Sequence, residues 1–392
     1  MSKFVESCVE MVKEPAKLAE RAQKGKPRAR KLLKAVEGKK NIIVSCHMHP
    51  DPDALGSAAG LTYLLEKRMP DARVRMCVRG QIPGGLNDAF SKHARLDIDK
   101  WPESFDDIDA AILCDVQPAF PTNPLPDDVS PVAVVDHHRS RRKNPDSKFC
   151  DIRPDIGATA SIVFSYFAEL DEVIPPDLSA VLLYAIESDL AGSAGTPSEL
   201  DNLALSTLAL TADTRRLYKM RNVALPQEYF AGYAAAMTNA VRYGNCMVSA
   251  LGPVQTLEKP AVMADFLLRL DGVETVLVTG LHDEDGNGIA DRLVLSLRTG
   301  GGRSAGELMR KLVRDIGQGG GHKHKAGGFI SLDELSDLPK IRARIKRRLL
   351  RNLDIGDARG QWLLPDAPPK IDVTGGTATA RSAPAMDLED AV

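Results

Sequence analysis

The stretch HMHPDPDALGS places His47, His49, Asp51 and Asp53 within seven residues, directly after the apolar run NIIVSC. Imidazoles and carboxylates at that density suit metal ligation, general acid–base work, or both. Three later segments repeat the pattern on a smaller scale. AAILC is followed by Asp115, VAVV by Asp136, His137 and His138, and VLLYAIES by Asp189. A solvated surface explains any one acid after a strand. It does not explain the set, because carboxylates crowded together repel one another and raise one another's pKa. A divalent cation removes the conflict. Two cations about 3.5–4 Å apart would use all of these ligands, at a spacing suited to phosphoryl chemistry. Mixed Asp and His ligation without thiolate fits Mn²⁺, with Mg²⁺ or Co²⁺ as substitutes.

The elements that must position these groups are legible from periodicity. NIIVSC (41–46), RVRMCV (73–78), DAAILC (109–114) and PVAVV (131–135) are short apolar runs of strand type. DALGSAAGLTYLLEKR (53–68), GATASIVFSYFAEL (157–170) and DLSAVLLYAIES (177–188) have helical spacing. Strands alternating with helices imply an α/β domain around a largely parallel sheet flanked by helices. In an open parallel sheet the loops at the carboxyl ends of the strands share one crevice. Four segments would then deliver carboxylates and imidazoles to one place. Asp51 and Asp53 fall in a loop stiffened by Pro50 and Pro52, so their side chains can diverge toward two ions. The small residues Gly56, Ser57, Ala58 and Ala59 let a helix pack close beneath.

Residues 200–222 continue in helices, and 226–245 read as a helical linker. Beyond it NCMVSALGPV, VETVLVTGL and RLVLSLRT read as strands, SAGELMRKLVRDIG as an amphipathic helix, and GGGHKHKAGGFISL turns into a last strand. The plan is a basic helical extension (1–39), an α/β domain (40–225), the linker (226–245) and a smaller α+β domain (246–350). A tail (365–392) rich in Pro, Gly, Ala, Thr and Asp has no periodicity and reads as disordered.

A chain of 392 residues, 43% hydrophobic, is long enough for two cores. Its net charge of -2 advertises neither nucleic acid nor membrane as a partner. The average hides basic segments: residues 1–40 carry twelve Lys/Arg against five Asp/Glu, and KIRARIKRRLLR spans 340–351. A solvated face is the ordinary reading of such runs, and attraction to a nucleic-acid backbone the alternative. Aromatic content of 5% offers few stacking platforms, which disfavours tracking along a long single strand. The six cysteines form no C-x-x-C pair, which points to reduced thiols and a cytoplasmic protein. MSKFVESCVEMVKEP is too polar for a signal h-region, and no apolar stretch approaches the roughly 20 residues of a membrane span.

Taken in order, HMHPDPDALGS, AAILCD, VVDHH, YAIESD and GGGHKHKAGG resemble the motifs of the DHH phosphoesterase superfamily, in the branch carrying a DHHA1 domain. The resemblance spans residues 40–335. Within that branch the chain is similar to the nanoRNase and pAp-phosphatase type, which degrades very short oligoribonucleotides and 3′,5′-bisphosphonucleotides (pAp). Some relatives cleave cyclic dinucleotides or their linear products. The resemblance implies that 40–225 is a DHH catalytic domain and 246–350 a DHHA1 substrate-binding domain that closes over the substrate. It implies that His47, Asp51 and Asp115 hold one metal. Asp53, Asp115, His137 and Asp189 would hold the other, with Asp115 bridging. His138 would face the scissile phosphate as general acid or electrostatic clamp, and Asp136 would orient the neighbouring histidines. His49 matches no ligand position.

In the second domain, Gly319, Gly320 and Gly321 can expose backbone N–H groups as an anion nest. His322 would follow as a contact to phosphate or base. Arg298 matches the family's substrate-binding arginine and could grip a phosphate bidentately. The plainer alternative is a glycine turn beside a solvated arginine, and His324 reads as incidental. Two departures bear on specificity. Leu190 follows Asp189 where the family often has a hydroxyl residue, and Lys325 stands where a small residue is usual.

The activity implied is hydrolysis of phosphoester bonds in short oligoribonucleotides or pAp by a water activated between two metals. Cyclic dinucleotide cleavage, pyrophosphatase or short-chain polyphosphatase activity, and a non-enzymatic nucleotide sensor are the alternatives. An intact ligand set argues against the sensor. A homodimer is implied by the resemblance alone.

Overall fold

The fold was obtained as a computed structural model, which describes residues 27–80, 86–139, 147–190, 197–321, 323–356 and 359–365. Most of the extension at 1–39 and nearly all of the tail at 365–392 lie outside the described residues. The described chain forms two compact units, the first reaching Leu225 and the second beginning at Pro226.

The first unit is built on five strands: β1 (Asn41–Cys46), β2 (Arg73–Met76), β3 (Ala110–Cys114), β4 (Ala133–Asp136) and β5 (Phe149–Ile152). All pair in parallel, in the order β2-β1-β3-β4-β5. Both faces of the sheet are covered, which is why its strands read as continuous apolar runs. Ile42, Val44 and Cys46 of β1 join the core formed with helices α2 (Pro52–Arg68), α4 (Thr159–Leu170) and α5 (Pro176–Leu190). Ile43 points the other way, toward Ala111, Leu113 and Val134, under Trp101, Phe105 and Phe120. Glycine brings α2 close to α5: a Cβ on Gly56 would lie 2.7 Å from the Cβ of Ala185.

The strand β5 escapes an apolar-run reading because FCDI carries a fully buried carboxylate. Asp151 is satisfied by Arg153, by the Tyr166 hydroxyl at 2.7 Å, and by Arg28. Arg28 opens helix α1 (Arg28–Ala35), whose first N–H groups at Ala29 and Arg30 donate to the Glu169 carboxylate at 2.9 and 3.0 Å. This part of the basic extension is therefore packed against the first unit. The remaining helices of the unit are α3 (Leu86–Ala94), α6 (Glu199–Thr211) and α7 (Thr214–Arg221).

The second unit holds a seven-stranded mixed sheet in the order β10-β11-β9-β8-β7-β6-β12. Its strands are β6 (Val241–Tyr243), β7 (Cys246–Pro253), β8 (Thr275–His282), β9 (Arg292–Thr299), β10 (Gln318–Gly321), β11 (Lys325–Ser331) and β12 (Gln361–Trp362). Within 226–245 lie a helix, α8 (Gln227–Thr238), and the strand β6, and both belong to this unit. Ser249 Oγ of β7 donates to Ala236 O of α8 at 2.7 Å. Helices α9 (Lys259–Leu267), α10 (Ala305–Val313) and α11 (Leu338–Asn352) complete the unit. Leu308, Met309 and Leu312 of α10 and Ile345 and Leu349 of α11 cover Leu277, Leu293, Leu295 and Leu297.

Candidate metal centre

Register decides where the chemistry emerges. Cys46 of β1 pairs with Cys114 of β3, so the next residues, His47 and Asp115, leave the carboxyl edge side by side. His47 Nε2 lies 3.6 Å from Asp115 Oδ2 and 4.0 Å from Asp51 Oδ1. Asp115 takes a left-handed backbone conformation with φ 59°, uncommon for a residue with a side chain. Its N–H donates to Val135 O of β4 at 2.9 Å, which holds that turn. From the end of β4 come Asp136, His137 and His138. Asp189 arrives from the last turn of α5.

Asp51 and Asp53 are placed by a helix start rather than by a loop. Asp51 is the N-cap of α2 and accepts the Ala54 N–H at 3.0 Å, and Pro52 takes the first helical position. Asp53 therefore lies in the first helical turn and is buried. The divergence of the two carboxylates comes from the helix, one outside it and one inside. Asp53 also closes a second helix. Ala158 precedes α4 with no side chain to cap it, and the Asp53 carboxylate accepts the N–H groups of Thr159 and Ala160, both at 2.8 Å.

The imidazoles are oriented by backbone carbonyls. His47 Nδ1 lies 3.0 Å from Met48 O and His137 Nδ1 lies 3.2 Å from Ile156 O. A carbonyl only accepts, so each Nδ1 carries the proton and each Nε2 faces the carboxylates. His137 Nε2 is 3.6 Å from both Asp115 Oδ1 and Asp189 Oδ2. His138 is turned the opposite way. Its Nδ1 contacts Asp136 Oδ1 at 2.7 Å, and the far Asp136 oxygen accepts from Gln117 Nε2 at 2.6 Å.

Three groups of donor atoms result: His47, Asp51 and Asp115; Asp53, His137 and Asp189; and Asp115, His137 and His138. Within each, one donor atom per residue lies within 4.8 Å of the others. Donors bound at about 2.1 Å to one ion stand roughly 3–3.5 Å apart. The observed separations of 3.5–4.0 Å need only a slight contraction to meet that geometry. The donor set, imidazole nitrogen and carboxylate oxygen with no thiolate, fits a hard or borderline divalent cation. Cys46 and Cys114 are buried behind it with thiols pushed well up by burial, so neither is a ready thiolate.

The charges act strongly on one another. Burial and the neighbouring charges of Asp115 and Asp189 raise Asp53 well above the usual carboxylate range. For Asp115 burial works in the same direction but is outweighed by His138, His47 and His137, which hold it low. Burial would lower His47, yet the hydrogen bond to Asp115 and the charges of Asp51 and Asp115 carry it to about 9. Burial likewise opposes His137, and Asp189, Asp115 and Asp53 carry it to about 9. A cation entering here would displace protons from the imidazoles and from Asp53.

Of the sequence-predicted residues, His47, Asp51, Asp53, Asp115, Asp136, His137, His138 and Asp189 are brought together in the first unit. His49 lies in none of the three donor groups. Leu190 packs toward the core and against Gly157, where an added Cβ would meet it at 2.4 Å. Two residues with a hand in the site have no local sequence signal. Thr159 Oγ1 donates to Asp115 Oδ1 at 2.7 Å, and Gln117 holds both Asp136 and, at 3.0 Å, the His138 carbonyl. A threonine at a helix start is ordinary, and only the fold shows what it touches.

In the second unit, Arg298 is buried and held by the Asp265 carboxylate, by Ser296 Oγ at 3.0 Å and by Leu297 O at 3.2 Å. Gly319, Gly320 and Gly321 form the edge strand β10, paired antiparallel with Gly328, Gly327 and Ala326 of β11. Close packing explains two of them: a Cβ on Gly319 would lie 2.8 Å from Met309 Cγ and one on Gly321 2.4 Å from Lys325 O, whereas at Gly320 it would meet only Arg310 Nη1 at 3.8 Å. His322 lies outside the described residues. His324 is buried with Nδ1 on Thr299 O at 3.0 Å. No helix among the described residues is long and apolar enough to cross a membrane.

Comparison with known proteins agrees with this arrangement. Residues 41–186 match the DHH family N-terminal domain, and residues 245–350 match the DHHA1 domain. An uncharacterized protein of Methanocaldococcus jannaschii is 30% identical over 314 residues, covering 79% of this chain and 62% of that protein. A probable manganese-dependent inorganic pyrophosphatase of Lactobacillus gasseri is 27% identical over 168 residues, 43% of this chain and 53% of that one. The chain thus spans less than two thirds of the length of both relatives. Among solved structures, an exopolyphosphatase-related protein from Bacteroides fragilis shares the fold with a TM-score of 0.63 at 16% identity, covering 83% of this chain and 97% of that one. With a DHH domain carrying every donor residue but Asp189, which lies three residues beyond it, and a DHHA1 domain after it, the chain belongs to the DHH superfamily.

Proposed function

We propose that the protein hydrolyses short oligoribonucleotides or 3′,5′-bisphosphonucleotides, using a pair of divalent cations held in the first unit. The fold is that of the DHH/DHHA1 metal-dependent phosphoesterases. One observation carries the two-cation reading: the oxygens of Asp115 face different donor groups. Oδ2 looks to His47, and Oδ1 to His137. A carboxylate so placed would bridge two sites, His47 and Asp51 completing one and Asp53, His137 and Asp189 the other. Mn²⁺ is the first candidate, and bound cations would neutralise phosphate charge and acidify a water.

The side chains then have distinct tasks. Thr159 and the Val135 carbonyl fix the bridging Asp115. Asp136 binds His138 Nδ1, which leaves Nε2 to reach the substrate. Burial would lower the His138 pKa, but Asp115 and Asp136 raise it, which favours the protonated ring that a general acid at the leaving oxygen requires. Arg298 and the glycine strand of the second unit are proposed to select the nucleotide. Asp265 and Ser296 set the angle of the Arg298 guanidinium in advance.

The likeness to probable manganese-dependent inorganic pyrophosphatases favours a second reading, hydrolysis of pyrophosphate or short polyphosphate. The test is hydrolysis by the full chain with Mn²⁺, offered pApA, pAp, cyclic di-AMP, pyrophosphate and tripolyphosphate in parallel, each with a chelator control. Chelator-sensitive release of AMP from pApA or pAp supports the nucleotide reading. Turnover of pyrophosphate or tripolyphosphate alone moves the protein to the second reading, and silence on all five defeats both.

A further inference from the structure

A second concentration of charge lies in the first unit, away from the donor groups. A cavity of about 160 Å³ is lined by Lys92, His93, Arg95, Asp213, Arg215, Arg216 and Lys219. Five of these seven carry a permanent positive charge and one a negative charge. The carboxylate is occupied locally: Asp213 caps α7, accepting the Arg216 N–H at 2.9 Å. Arg216 is committed, with Nη2 on Asp177 at 2.8 Å and Nη1 on Ala94 O at 3.1 Å. Arg95, Arg215 and Lys219 are exposed around the cavity, beside exposed Lys92 and half-buried His93.

Helix dipoles explain only part of this. Lys92 and His93 stand in the last turn of α3, where positive charge is favoured. Arg215 and Arg216 stand in the first turn of α7, where it is disfavoured. Backbone conformation gives a second, independent observation. Arg95 follows α3 directly and has φ 51°, in the left-handed region that a helix-ending glycine normally occupies. Leu96 N–H reaches back to Ser91 O at 3.5 Å across that turn. An arginine in this conformation bears a steric cost that glycine would avoid. Arg215 and Arg216 are thus placed against the dipole, and Arg95 against backbone preference, around a concave space sized for a compact anion.

We propose that this cavity is a phosphate-binding site separate from the metal centre. Its ligand is a compact oxyanion, either free pyrophosphate or the phosphate end of a nucleotide. The site stands at the opposite end of α5 from the donor groups. Arg216 pairs with Asp177 in the first turn of α5, whereas Asp189 lies in its last turn. At 1.5 Å per residue those positions are about 18 Å apart. The same helix α7 ends on Arg221, which pairs with Glu187, one half-turn before Asp189. An anion gripped at the start of α7 therefore sits on an element that also braces the helix bearing Asp189.

The test uses the full chain in excess chelator, which removes any metal-dependent binding at the other site. Pyrophosphate and ADP are titrated by calorimetry against the unaltered protein and against the double variant Arg215→Glu, Lys219→Glu. Both changed residues are exposed, and neither belongs to the metal centre. The control is Arg344→Glu, Arg347→Glu, an equal charge change on the exposed face of α11. The expected result is saturable pyrophosphate binding that falls at least about tenfold in the first variant and changes little in the control. ADP losing affinity by the same factor means that phosphate alone is read; ADP binding more tightly than pyrophosphate means that the nucleoside adds a contact. Undiminished pyrophosphate binding in the first variant, an equal loss in the control, or no binding at all overturns the proposal. With Mn²⁺ restored, hydrolysis by the first variant at saturating substrate tests the metal centre separately, so the two readings fail independently.

Discussion

Thr159 Oγ1 lies 2.7 Å from Asp115 Oδ1, a hydrogen bond between residues 44 positions apart. The same Thr159 gives its backbone N–H to Asp53. One residue at the start of α4 thus positions two carboxylates from two different elements.

Thr159→Val keeps the backbone bond and the side-chain shape while removing the hydroxyl. A hydrogen bond to a charged group contributes about 1.5–3 kcal/mol. Loss of such support around a metal ligand costs about 10–100-fold in metal affinity or activity. Titration of Mn²⁺ and steady-state turnover should both show a loss of that order, alongside a fall in stability of about 1.5–3 kcal/mol, since the hydroxyl also accepts the His137 N–H at 3.2 Å. Unchanged Mn²⁺ affinity would remove Thr159 from any role in the centre.

Asp115→Asn should abolish turnover while the protein stays folded. The amide cannot bridge two cations, and it leaves the β3–β4 backbone bond at residue 115 in place. More than a few per cent of residual activity would sink the bridging role.

Gln117→Leu leaves Asp136 with one oxygen unheld and frees the His138 carbonyl. The expected outcome is about a tenfold fall in kcat with Mn²⁺ affinity retained, since His138 is placed for proton transfer rather than bridging. The alkaline limb of the pH–rate profile should move as well, because it reports loss of the His138 proton and the His138–Asp136 contact loses its brace. A fall in metal affinity with kcat intact would reverse the assignment.

Stability of the metal-free protein should decline as pH rises. His47 and His137 sit at about 9 in the folded chain, against about 6.5 when unfolded. Protons held more tightly in the folded state stabilise it fully below about 6.5, and that contribution is lost as pH climbs through about 9. Saturating Mn²⁺ should reverse the slope, because cations bind deprotonated imidazoles. Thermal unfolding between pH of about 6.5 and about 8.5, with chelator and with Mn²⁺, reads both signs. A rising midpoint in chelator would contradict the arrangement of charges.

Gly306→Ala should destabilise the second unit by about 1–3 kcal/mol, the usual cost of overpacking. An added Cβ would sit 2.1 Å from Gly321 O, so α10 and β10 must separate. Unfolding followed by Trp362 fluorescence in a Trp101→Phe background, beside Mn²⁺ binding to the first unit, distinguishes local from global loss. A neutral effect on stability would show that the β10 edge yields freely.

Much of the centre was legible in the sequence because parallel strands deliver their next residues to one edge. His47, Asp115 and the Asp136–His138 run each follow an apolar strand, and that position alone predicts convergence. Thr159 and Gln117 were not legible, since their partners lie 44 and 19 positions away and neither type is unusual where it stands. The helix was legible from Asp53, one residue after its start at Pro52; the capping of Ala54 by Asp51 was not, because the two prolines suggest a loop there. β5 was hidden by its buried aspartate. The glycines of β10 were misleading in another way: glycine disfavours strands, yet at Gly319 only glycine fits against Met309.

The donors gathered around Asp115 are drawn from His47 through Asp189, so the centre is also a matter of timing. A growing chain can offer His47, Asp51 and Asp115 once β4 has joined β3 and its Val135 carbonyl holds the turn at Asp115. It can offer the second group only after α5 has emerged and docked. Ions captured in that order would tie together segments whose pairing is slow by virtue of their separation along the chain. The second ion would then serve as a checkpoint, retained only by molecules in which α5 has found its seat against Gly56.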